Sequence, residues 1–179
     1  LRLFFQDGKR LGMKINYVQE KKPLGTSGPL SNVEGLKNTF LVTNGDVLTT
    51  LDFAELIAYH KAQGAIATIA CHKRKVDINL GVVELDKEQI VSGYLEKPSI
   101  DYLVSMGVYV FEPRILEFIP KDEYLDFPDL VLKLVAAGEK VAGYVFKGYW
   151  EDLGRPDDYE RASAHFEQMR DQFLPEAKE

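Results

Sequence analysis

The strongest constraint on the fold is a short apolar segment that stops at a polar turn. Residues 39–43 (Thr-Phe-Leu-Val-Thr) suit a strand that is buried on both faces, and Asn44-Gly45-Asp46 ends it. Residues 52–55 then form a capping-box pattern, helical spacing follows, and Gly64 is well placed to end that helix. Residues 65–71 return to a strand pattern. The order strand, helix, strand predicts a parallel crossover, which is typical of α/β proteins.

The rest of the chain continues this alternation of strands and helices. Its patterns predict a hairpin at residues 3–18 around Asp7-Gly8, a loop at 20–28, two strands within 80–95, a strand at about 104–111, a short helix between Pro113 and Pro120, a helix from Pro128 to Gly138, a strand at 141–146 and a last helix from Pro156. We therefore expect one α/β domain over residues 1–179, with a mixed, mostly parallel sheet and flanking helices.

Charge and hydropathy exclude two classes of partner. The 179 residues carry 22 Lys and Arg against 28 Asp and Glu, which gives a formal net charge of -6. Proteins that bind duplex nucleic acid usually carry a basic face, so no nucleic-acid partner is expected. The densest basic run, His72-Lys73-Arg74-Lys75, is predicted to be a solvated loop after a strand. No apolar run approaches the roughly 20 residues of a membrane span, so no membrane partner is expected.

The cysteine and histidine content bears on the compartment and on metal binding. Cys71 is the only cysteine, so it cannot form an internal disulfide, and a reducing, cytoplasmic location is expected. The three histidines lie far apart in the sequence and have no metal-ligand spacing.

Candidate ligand-binding residues follow predicted strands, where open α/β sheets bind their ligands. Asp46 is one, because a carboxylate at a strand end is a natural ligand for Mg²⁺; the alternative is an aspartate that caps the next turn. Residues 23–28 (Pro-Leu-Gly-Thr-Ser-Gly) are another, because small residues let the backbone approach a flat ligand closely. The alternative for this segment is a simple turn.

Two later segments carry charge in similar positions. In Glu96-Lys97-Pro98, the carboxylate could accept hydrogen bonds from sugar hydroxyls while the ammonium meets a phosphate, or the two could form an exposed ion pair of little consequence. Asp152 stands four residues before the last predicted helix. If the fold brings it near Asp46, it completes a magnesium site; the alternative is an aspartate that binds the loop before the helix.

These segments also agree, in their order along the chain and in their amino-acid sequence, with the motifs of a known family. They are Asp7-Gly8 with Leu11-Gly12, residues 17–20 with 23–28, residues 40–46, Gly81-Val82-Val83, Glu96-Lys97-Pro98, residues 107–111 and residues 150–156. Together they resemble the sugar-1-phosphate nucleotidyltransferases, or NDP-sugar pyrophosphorylases, from about residue 3 to residue 165. The resemblance is strongest to the mannose-1-phosphate guanylyltransferase and glucose-1-phosphate thymidylyltransferase branches. It implies a Rossmann-like, glycosyltransferase-A-like fold.

The resemblance also implies a role for individual residues. It implies nucleotide binding by Glu20, Gly25, Thr26 and Gly45, sugar-phosphate binding by Gly81, Glu96, Lys97, Ser105 and Gly107, Mg²⁺ binding by Asp46 and Asp152, and catalysis by Asp46, Lys97 and Asp152. The implied reaction joins an NTP and a sugar 1-phosphate into an NDP-sugar and pyrophosphate, with Mg²⁺ as cofactor and no protein nucleophile.

The sequence departs from the family pattern in two places. Ser105 stands where the family often has an asparagine that touches the sugar. The glycine-rich "GGxGTRLxPLT" loop and the "PK" lysine that follows it are absent from these 179 residues. We therefore expect the C-terminal two thirds to three quarters of a catalytic domain, with negligible turnover alone. The missing first strand would leave exposed sheet edges, which favour homo-oligomers.

Two other functions remain open at this point. One is a non-catalytic sugar-nucleotide-binding or regulatory subunit of the same ancestry. The other is a glycosyltransferase with the same nucleotide-binding fold. Such an enzyme would require a metal-binding Asp-x-Asp motif where this chain has Asn44-Gly45-Asp46. The sequence leaves the nucleobase and the sugar undetermined.

Overall fold

The computed structural model describes residues 1–174, apart from the side chains of residues 156 and 157. In chain order its elements are α1 (Arg2–Phe5), β1 (Phe40–Thr43), β2 (Val47–Thr49), α2 (Phe53–Gln63), β3 (Ala67–Asp77), β4 (Val82–Leu85), β5 (Val91–Leu95), β6 (Ser99–Phe111), α3 (Phe127–Ala136), β7 (Val141–Phe146), β8 (Trp150–Asp152), α4 (Pro156–Gln168) and α5 (Arg170–Phe173). Short 3₁₀ helices occupy Lys9–Leu11, Gly28–Asn32 and Pro113–Phe118. No helix among the described residues is long and apolar enough to cross a membrane.

The chain divides into two compact units. The first contains Leu1–Phe40 and Glu112–Val141, and the second contains Leu41–Phe111 and Ala142–Glu179. The second unit holds most of the main sheet, whose strand order is β1-β6-β3-β7, and two smaller two-stranded sheets, β2-β8 and β4-β5. The predicted mixed sheet with flanking helices is confirmed.

The longest pairing in the main sheet joins β3 to β6. The two strands are antiparallel, and their register runs from Ala67 opposite Phe111 to Asp77 opposite Ser99. This pairing extends both strands beyond the lengths predicted from their apolar runs. It also places the basic run at residues 72–75 inside β3, so the predicted loop at that position is wrong.

Helix α2 begins and ends as its sequence predicts. Asp52 Oδ1 accepts hydrogen bonds from the backbone N–H groups of Ala54 (2.7 Å) and Glu55 (3.2 Å), and Gly64 ends the helix at φ 57°. The Glu55 carboxylate does not return to the helix start, because it accepts a hydrogen bond from the Tyr144 hydroxyl (2.8 Å). Burial, followed by this carboxylate, raises the pKa of Tyr144 to about 12.

The core of the second unit lies where α2 packs on the sheet. Leu56 of α2 is fully buried and clusters with Ala70 of β3 and with Met106, Val108 and Val110 of β6. Each large apolar side chain buried in this way stabilises the fold by about 1.5–3 kcal/mol. The core therefore fixes the middle of β6, on which the candidate site is built.

The first unit is organised around α3. Phe127, Leu130 and Leu134, which recur at helical spacing, are all buried. Arg114 makes a bidentate ion pair with Glu139, with N–O distances of 2.6 and 2.7 Å. The helix predicted between Pro128 and Gly138 is therefore confirmed to within one or two residues at each end.

The predicted N-terminal hairpin is wrong. Residues 3–5 lie in α1, and residues 15–18 lie in no strand. Gly8 (φ 81°) and Gly12 (φ 68°) instead wind the chain around a 3₁₀ turn. Alternating residues form a strand only beside another strand, and this segment pairs with none in the part of the chain that the structure describes.

Candidate active site

A bulge in the middle of β6 organises the candidate site of the second unit. Ile69 pairs with Tyr109 but Cys71 pairs with Ser105, so β6 has two more residues than β3 between these pairs. Gly107 lies inside this interval and has φ +71°, a left-handed conformation that suits glycine. The bulge turns backbone groups of β6 away from the ladder with β3 and makes them available to other segments.

Two segments bind the backbone of this bulge. The backbone N–H of Asn44 donates to the carbonyl of Gly107 (2.8 Å), and the indole Nε1–H of Trp150 donates to the carbonyl of Met106 (3.0 Å). A Cβ at Gly107 would lie only 2.7 Å from Nδ2 of Asn44. The glycine therefore permits the close approach of the turn at residues 44–46.

The same segments bring Asp46 and Asp152 together. Strands β2 and β8 are antiparallel with Val47 opposite Asp152, and the N–H of Leu153 donates to the carbonyl of Asp46 (2.8 Å). Both aspartates are exposed, and neither carboxylate has a hydrogen-bond or ion-pair partner within residues 1–174. The turn-capping and loop-binding alternatives for these carboxylates are therefore not observed in that range.

The donor chemistry of this pair fits magnesium. Mg²⁺ prefers oxygen ligands and is usually held by one or two carboxylates together with waters and substrate phosphates. Within the described residues, no group of three or more His, Cys, Asp and Glu side chains could hold a metal ion. Two adjacent, unpaired aspartates suit a metal ion that is shared with a phosphorylated substrate.

A second cluster lies at the β4–β5 hairpin, which joins β3 to β6. Gly81 precedes β4, and a Cβ there would overlap the Tyr94 hydroxyl. That hydroxyl donates to Oε2 of Glu96 (3.3 Å). Lys97 follows with φ +45°, a left-handed conformation that is uncommon for a residue with a side chain. The ammonium of Lys97 is exposed and has no ion-pair partner in the range that the structure describes.

Ser105 and Gly45 complete the residues predicted in this unit. Ser105 Oγ accepts from the N–H of Gly107 (3.3 Å) and lies 3.1 Å from the hydroxyl of Tyr109. Gly45 is exposed, and a Cβ there would meet no atom within 4 Å. Ser105, Gly107, Asp46 and Asp152 thus converge on the β6 bulge. Their ligand roles remain predictions.

The nucleotide-binding residues predicted near the N-terminus belong to the first unit. Oε2 of Glu20 accepts from the N–H of Leu24 (2.8 Å). The backbone N–H and the hydroxyl of Thr26 both donate to Oδ1 of Asp126 (2.9 and 3.1 Å). Gly25 has φ +77°, and a Cβ there would lie 2.7 Å from the carbonyl oxygen of Leu125. All three residues therefore have a structural task in this loop, and their contact with a base remains a prediction.

Asp126 is the centre of this loop, and its replacement tests the loop directly. The hydrogen bond from the Tyr124 hydroxyl, followed by the bonds from Thr26, lowers the pKa of Asp126 below its ordinary 3.8. A carboxyl with a lowered folded-state pKa contributes stability above its unfolded-state pKa and loses it as the pH falls through the folded value. We expect Asp126→Asn to lower Tm at pH 7 and the deficit to shrink as the pH falls below 3.8, measured by thermal denaturation.

Asp129→Asn is the matched control for this measurement. It removes the same charge from the first turn of α3 and breaks no side-chain hydrogen bond that the structure shows. An equal loss of Tm in both variants, or a deficit for Asp126→Asn that persists below pH 3, would contradict this account of the loop.

Sequence reasoning missed several residues that shape the two units. Asn44 was considered only within the segment Asn44-Gly45-Asp46, Tyr94 and Asp126 were not singled out, and Trp150 was included only within the motif at residues 150–156. Their signals lie in pairings of distant segments: Thr26 and Asp126 are 100 residues apart, and Trp150 and Met106 are 44 apart. Strands β2 and β8 were also missed. Each is only three residues long and becomes recognisable only through its pairing with the other, distant strand.

The mixed sheet with flanking helices makes this an α/β protein, and two unpaired aspartates lie beside the glycine bulge of β6. Comparison with known proteins is more specific, because residues 2–169 match the family described as nucleotidyl transferase. The chain belongs to this nucleotidyl transferase family.

Two relatives and one solved structure illustrate the match. The chain is 40% identical over 167 residues to a mannose-1-phosphate guanylyltransferase of Mycobacterium tuberculosis, covering 89% of this chain and 46% of that protein. It is 31% identical over 179 residues to a UTP–glucose-1-phosphate uridylyltransferase of Synechocystis, with the same two coverages. The crystal structure of HddC from Yersinia pseudotuberculosis superposes with a TM-score of 0.64 at 25% identity, covering 91% of this chain and 72% of that one. The chain thus spans about half the length of these two relatives.

Proposed function

We propose that this chain carries the sugar-phosphate and metal-binding part of an enzyme that forms an NDP-sugar and pyrophosphate from an NTP and a sugar 1-phosphate. The observation that carries the proposal is the pairing of Asp46 with Asp152 across β2 and β8, beside the Gly107 bulge. The names of the two relatives support the reaction class, and the family match, which spans residues of both units, supports a single nucleotidyltransferase domain.

In this proposal the sugar 1-phosphate is held by residues of β6 and of the hairpin before it. The exposed ammonium of Lys97 neutralises the phosphate as a point charge, and Glu96 accepts hydrogen bonds from sugar hydroxyls. Gly81 and Gly107 would contact the ring through backbone groups, since the Tyr94 hydroxyl and the Asn44 side chain occupy the space beside their Cα atoms. The hydroxyl of Ser105 can make only one donated contact to the sugar, where a side-chain amide could make two.

In this proposal the nucleotide is bound by Glu20, Gly25 and Thr26 of the first unit and, separately, by Gly45 of the second. An oxygen of the sugar phosphate attacks the α-phosphorus in line, the new P–O bond forms, and the bond to the departing pyrophosphate breaks. Asp46 and Asp152 would hold Mg²⁺, which supplies charge stabilisation to the phosphates when it is bound. The protein itself orients two anions that repel each other and donates no nucleophile. We also propose a cytoplasmic setting, which suits the free thiol of Cys71.

Binding to the 179-residue chain tests this proposal. Equilibrium dialysis with a panel of sugar 1-phosphates and NDP-sugars, in the presence of MgCl₂, is expected to find a ligand that binds. Asp152→Asn should weaken that binding on the order of tenfold, because one charge-assisted contact is worth about 1.5–3 kcal/mol. Asp171→Asn in α5 removes the same charge and should leave the binding unchanged.

A pyrophosphate-release assay separates binding from turnover. We expect negligible release by this chain with any NTP and sugar 1-phosphate, since it lacks the glycine-rich phosphate loop of the family. Clear turnover would contradict that expectation. Failure of every sugar 1-phosphate and NDP-sugar to bind, or an equal effect of both aspartate variants, would contradict the proposal itself.

A further inference from the structure

A cavity of about 540 Å³ opens on the second unit beside the aspartate pair, with which it shares Asp152. Its walls come from residues 72–75 of β3, from residues 149–152 in and before β8, and from Arg155, Asp158, Arg161 and His165 at α4. This volume lies within the range of small-molecule sites, about 300–1,000 Å³. The basic run of β3 therefore borders a concave space.

The cavity is electropositive although the chain is acidic. Five lysine and arginine side chains line it against three carboxylates, an excess of two positive charges in a chain whose formal net charge is -6. A concave site with one sign of charge concentrates ligands of the opposite sign. The ligand that this charge favours is an anion.

Most of the charges around the cavity are already paired. Arg161 donates to the carboxylates of Glu151 (3.0 Å) and Asp158 (2.5 Å), and Lys73 forms an ion pair with Asp101 (2.6 Å). The Tyr149 hydroxyl donates to Glu151 and lies 2.8 Å from Nδ1 of His165. These pairs hold the segment before α4 against the helix. Their side chains therefore have little unpaired charge available to bind a ligand.

Arg74 and Arg155 are different. Both line the cavity, both are exposed, and neither guanidinium has a hydrogen-bond or ion-pair partner within residues 1–174. Guanidinium groups bind phosphate oxygens in a bidentate manner, with a fixed fork of N–H donors. Two such groups at one cavity can share a single phosphate.

One wall of the cavity is aromatic. The rings of His72 and Trp150 lie 5.6 Å apart, centroid to centroid, at an angle of 35°. Nε2 of His72 lies 3.2 Å from the carbonyl oxygen of Gly148, and Nε1 of Trp150 donates to Met106, so both rings are held in place. A flat wall beside two arginines suits a ligand that has a ring as well as a phosphate.

We propose that this cavity is a binding site for a phosphorylated small molecule, with Arg74 and Arg155 as its phosphate ligands and the His72–Trp150 wall as its ring contact. The site uses neither Lys97 nor the aspartate pair as a phosphate ligand. Asp152 and Trp150 border both this cavity and the candidate active site. The experiment below omits metal ions and leaves Lys97 and both aspartates intact, so its failure is distinguishable from failure of the proposed nucleotidyl transfer.

The position of Trp150 gives a direct readout. It is the only tryptophan in the chain and lines the cavity, so its fluorescence reports on the cavity and on the β6 bulge that its indole contacts. Inorganic phosphate is titrated in the presence of EDTA, so that a metal ion cannot contribute, and ionic strength is held constant with NaCl. We expect a saturable change in Trp150 fluorescence with a Kd on the order of 1 mM.

Three arginine variants decide the assignment. Arg74→Gln and Arg155→Gln should each raise the Kd on the order of fivefold, because each removes one bidentate partner. Arg10→Gln, which removes the same charge from an exposed 3₁₀ turn in the first unit, should leave it unchanged. Arg74→Lys should restore only part of the affinity, since an ammonium cannot make the bidentate contact.

Two further ligands distinguish the sources of the phosphate. Ribose 5-phosphate and AMP carry the same phosphate charge, but only AMP has an aromatic base. Tighter binding of AMP identifies the site as a nucleotide site, and equal binding identifies it as a sugar-phosphate site; both support the proposal. No saturable response to any of the three phosphates, or equal weakening by Arg10→Gln, would overturn it.

Discussion

Gly107→Ala is expected to lower the free energy of unfolding by about 2–4 kcal/mol and to impair ligand binding at the β6 bulge. Two costs add at this position. Gly107 has φ +71°, which costs a residue with a Cβ about 1–2 kcal/mol. A Cβ would also lie 2.7 Å from Nδ2 and 2.9 Å from Cγ of Asn44, so the turn that carries Asp46 must move. Urea unfolding measures the total.

The chain offers a control that separates the two costs. Gly138 has nearly the same backbone conformation, φ +75°, but a Cβ there would meet no atom within 4 Å. Gly138→Ala should therefore cost only the conformational part, about 1–2 kcal/mol. The excess cost of Gly107→Ala over Gly138→Ala is the cost of displacing Asn44.

A double-mutant cycle tests that assignment. An Asn44→Ala background removes Nδ2 and Cγ and leaves only the Cβ of residue 44, 3.3 Å from the added Cβ, so Gly107→Ala should cost little more than Gly138→Ala. Asn44→Ala alone keeps the backbone hydrogen bond from residue 44 to the carbonyl of Gly107 and should be mildly destabilising. If Gly107→Ala costs the same in both backgrounds, the close approach of Asn44 does not determine the need for glycine.

Local sequence patterns predicted those parts of the fold that depend on nearby residues. Asp52 and Gly64 mark the two ends of α2 because capping and left-handed termination are local events. The two strands predicted within residues 80–95 are confirmed as β4 and β5, and Asp86 stabilises the turn between them, because its Oδ1 accepts from the N–H of Glu88 and of Ile90 (both 2.9 Å). The N-terminal hairpin was predicted by the same kind of reasoning and was wrong, because a strand depends on a distant partner.

The candidate site depends mainly on such distant partners. Asp46 and Asp152 were predicted to meet, and the structure brings their backbones together through β2 and β8, neither of which has a sequence signal of its own. The bulge at Gly107 arises from the register of β6 against β3, which no single segment encodes. The motifs named the candidate residues, whose ligand roles stay predictions, and only the pairing of strands shows how their backbones converge.

Lys97→Gly is expected to abolish most of the sugar 1-phosphate binding while leaving the fold as stable or more stable. The ammonium is the only cation of the Glu96-Lys97-Pro98 segment, and its loss should weaken phosphate binding on the order of 10–100-fold. The backbone of Lys97 has φ +45°, a conformation that costs a residue with a side chain about 1–3 kcal/mol. Glycine adopts it without strain but loses more conformational entropy on folding, so the net change should lie between zero and a gain of about 1 kcal/mol.

Two companion variants distinguish the backbone effect from the charge effect. Gln89→Gly replaces another residue with positive φ, 64°, in the turn between β4 and β5. It should therefore change the free energy of unfolding as Lys97→Gly does, and it should leave sugar 1-phosphate binding unaltered. Lys97→Met removes the charge but keeps a side chain on the strained backbone. It should therefore lose as much sugar 1-phosphate binding as Lys97→Gly does, without any gain in stability. Equilibrium dialysis and urea unfolding measure the two properties on the same samples. A stability loss in Lys97→Gly, or full binding by Lys97→Met, would show that the strained backbone of Lys97 does not serve to present its ammonium to the phosphate.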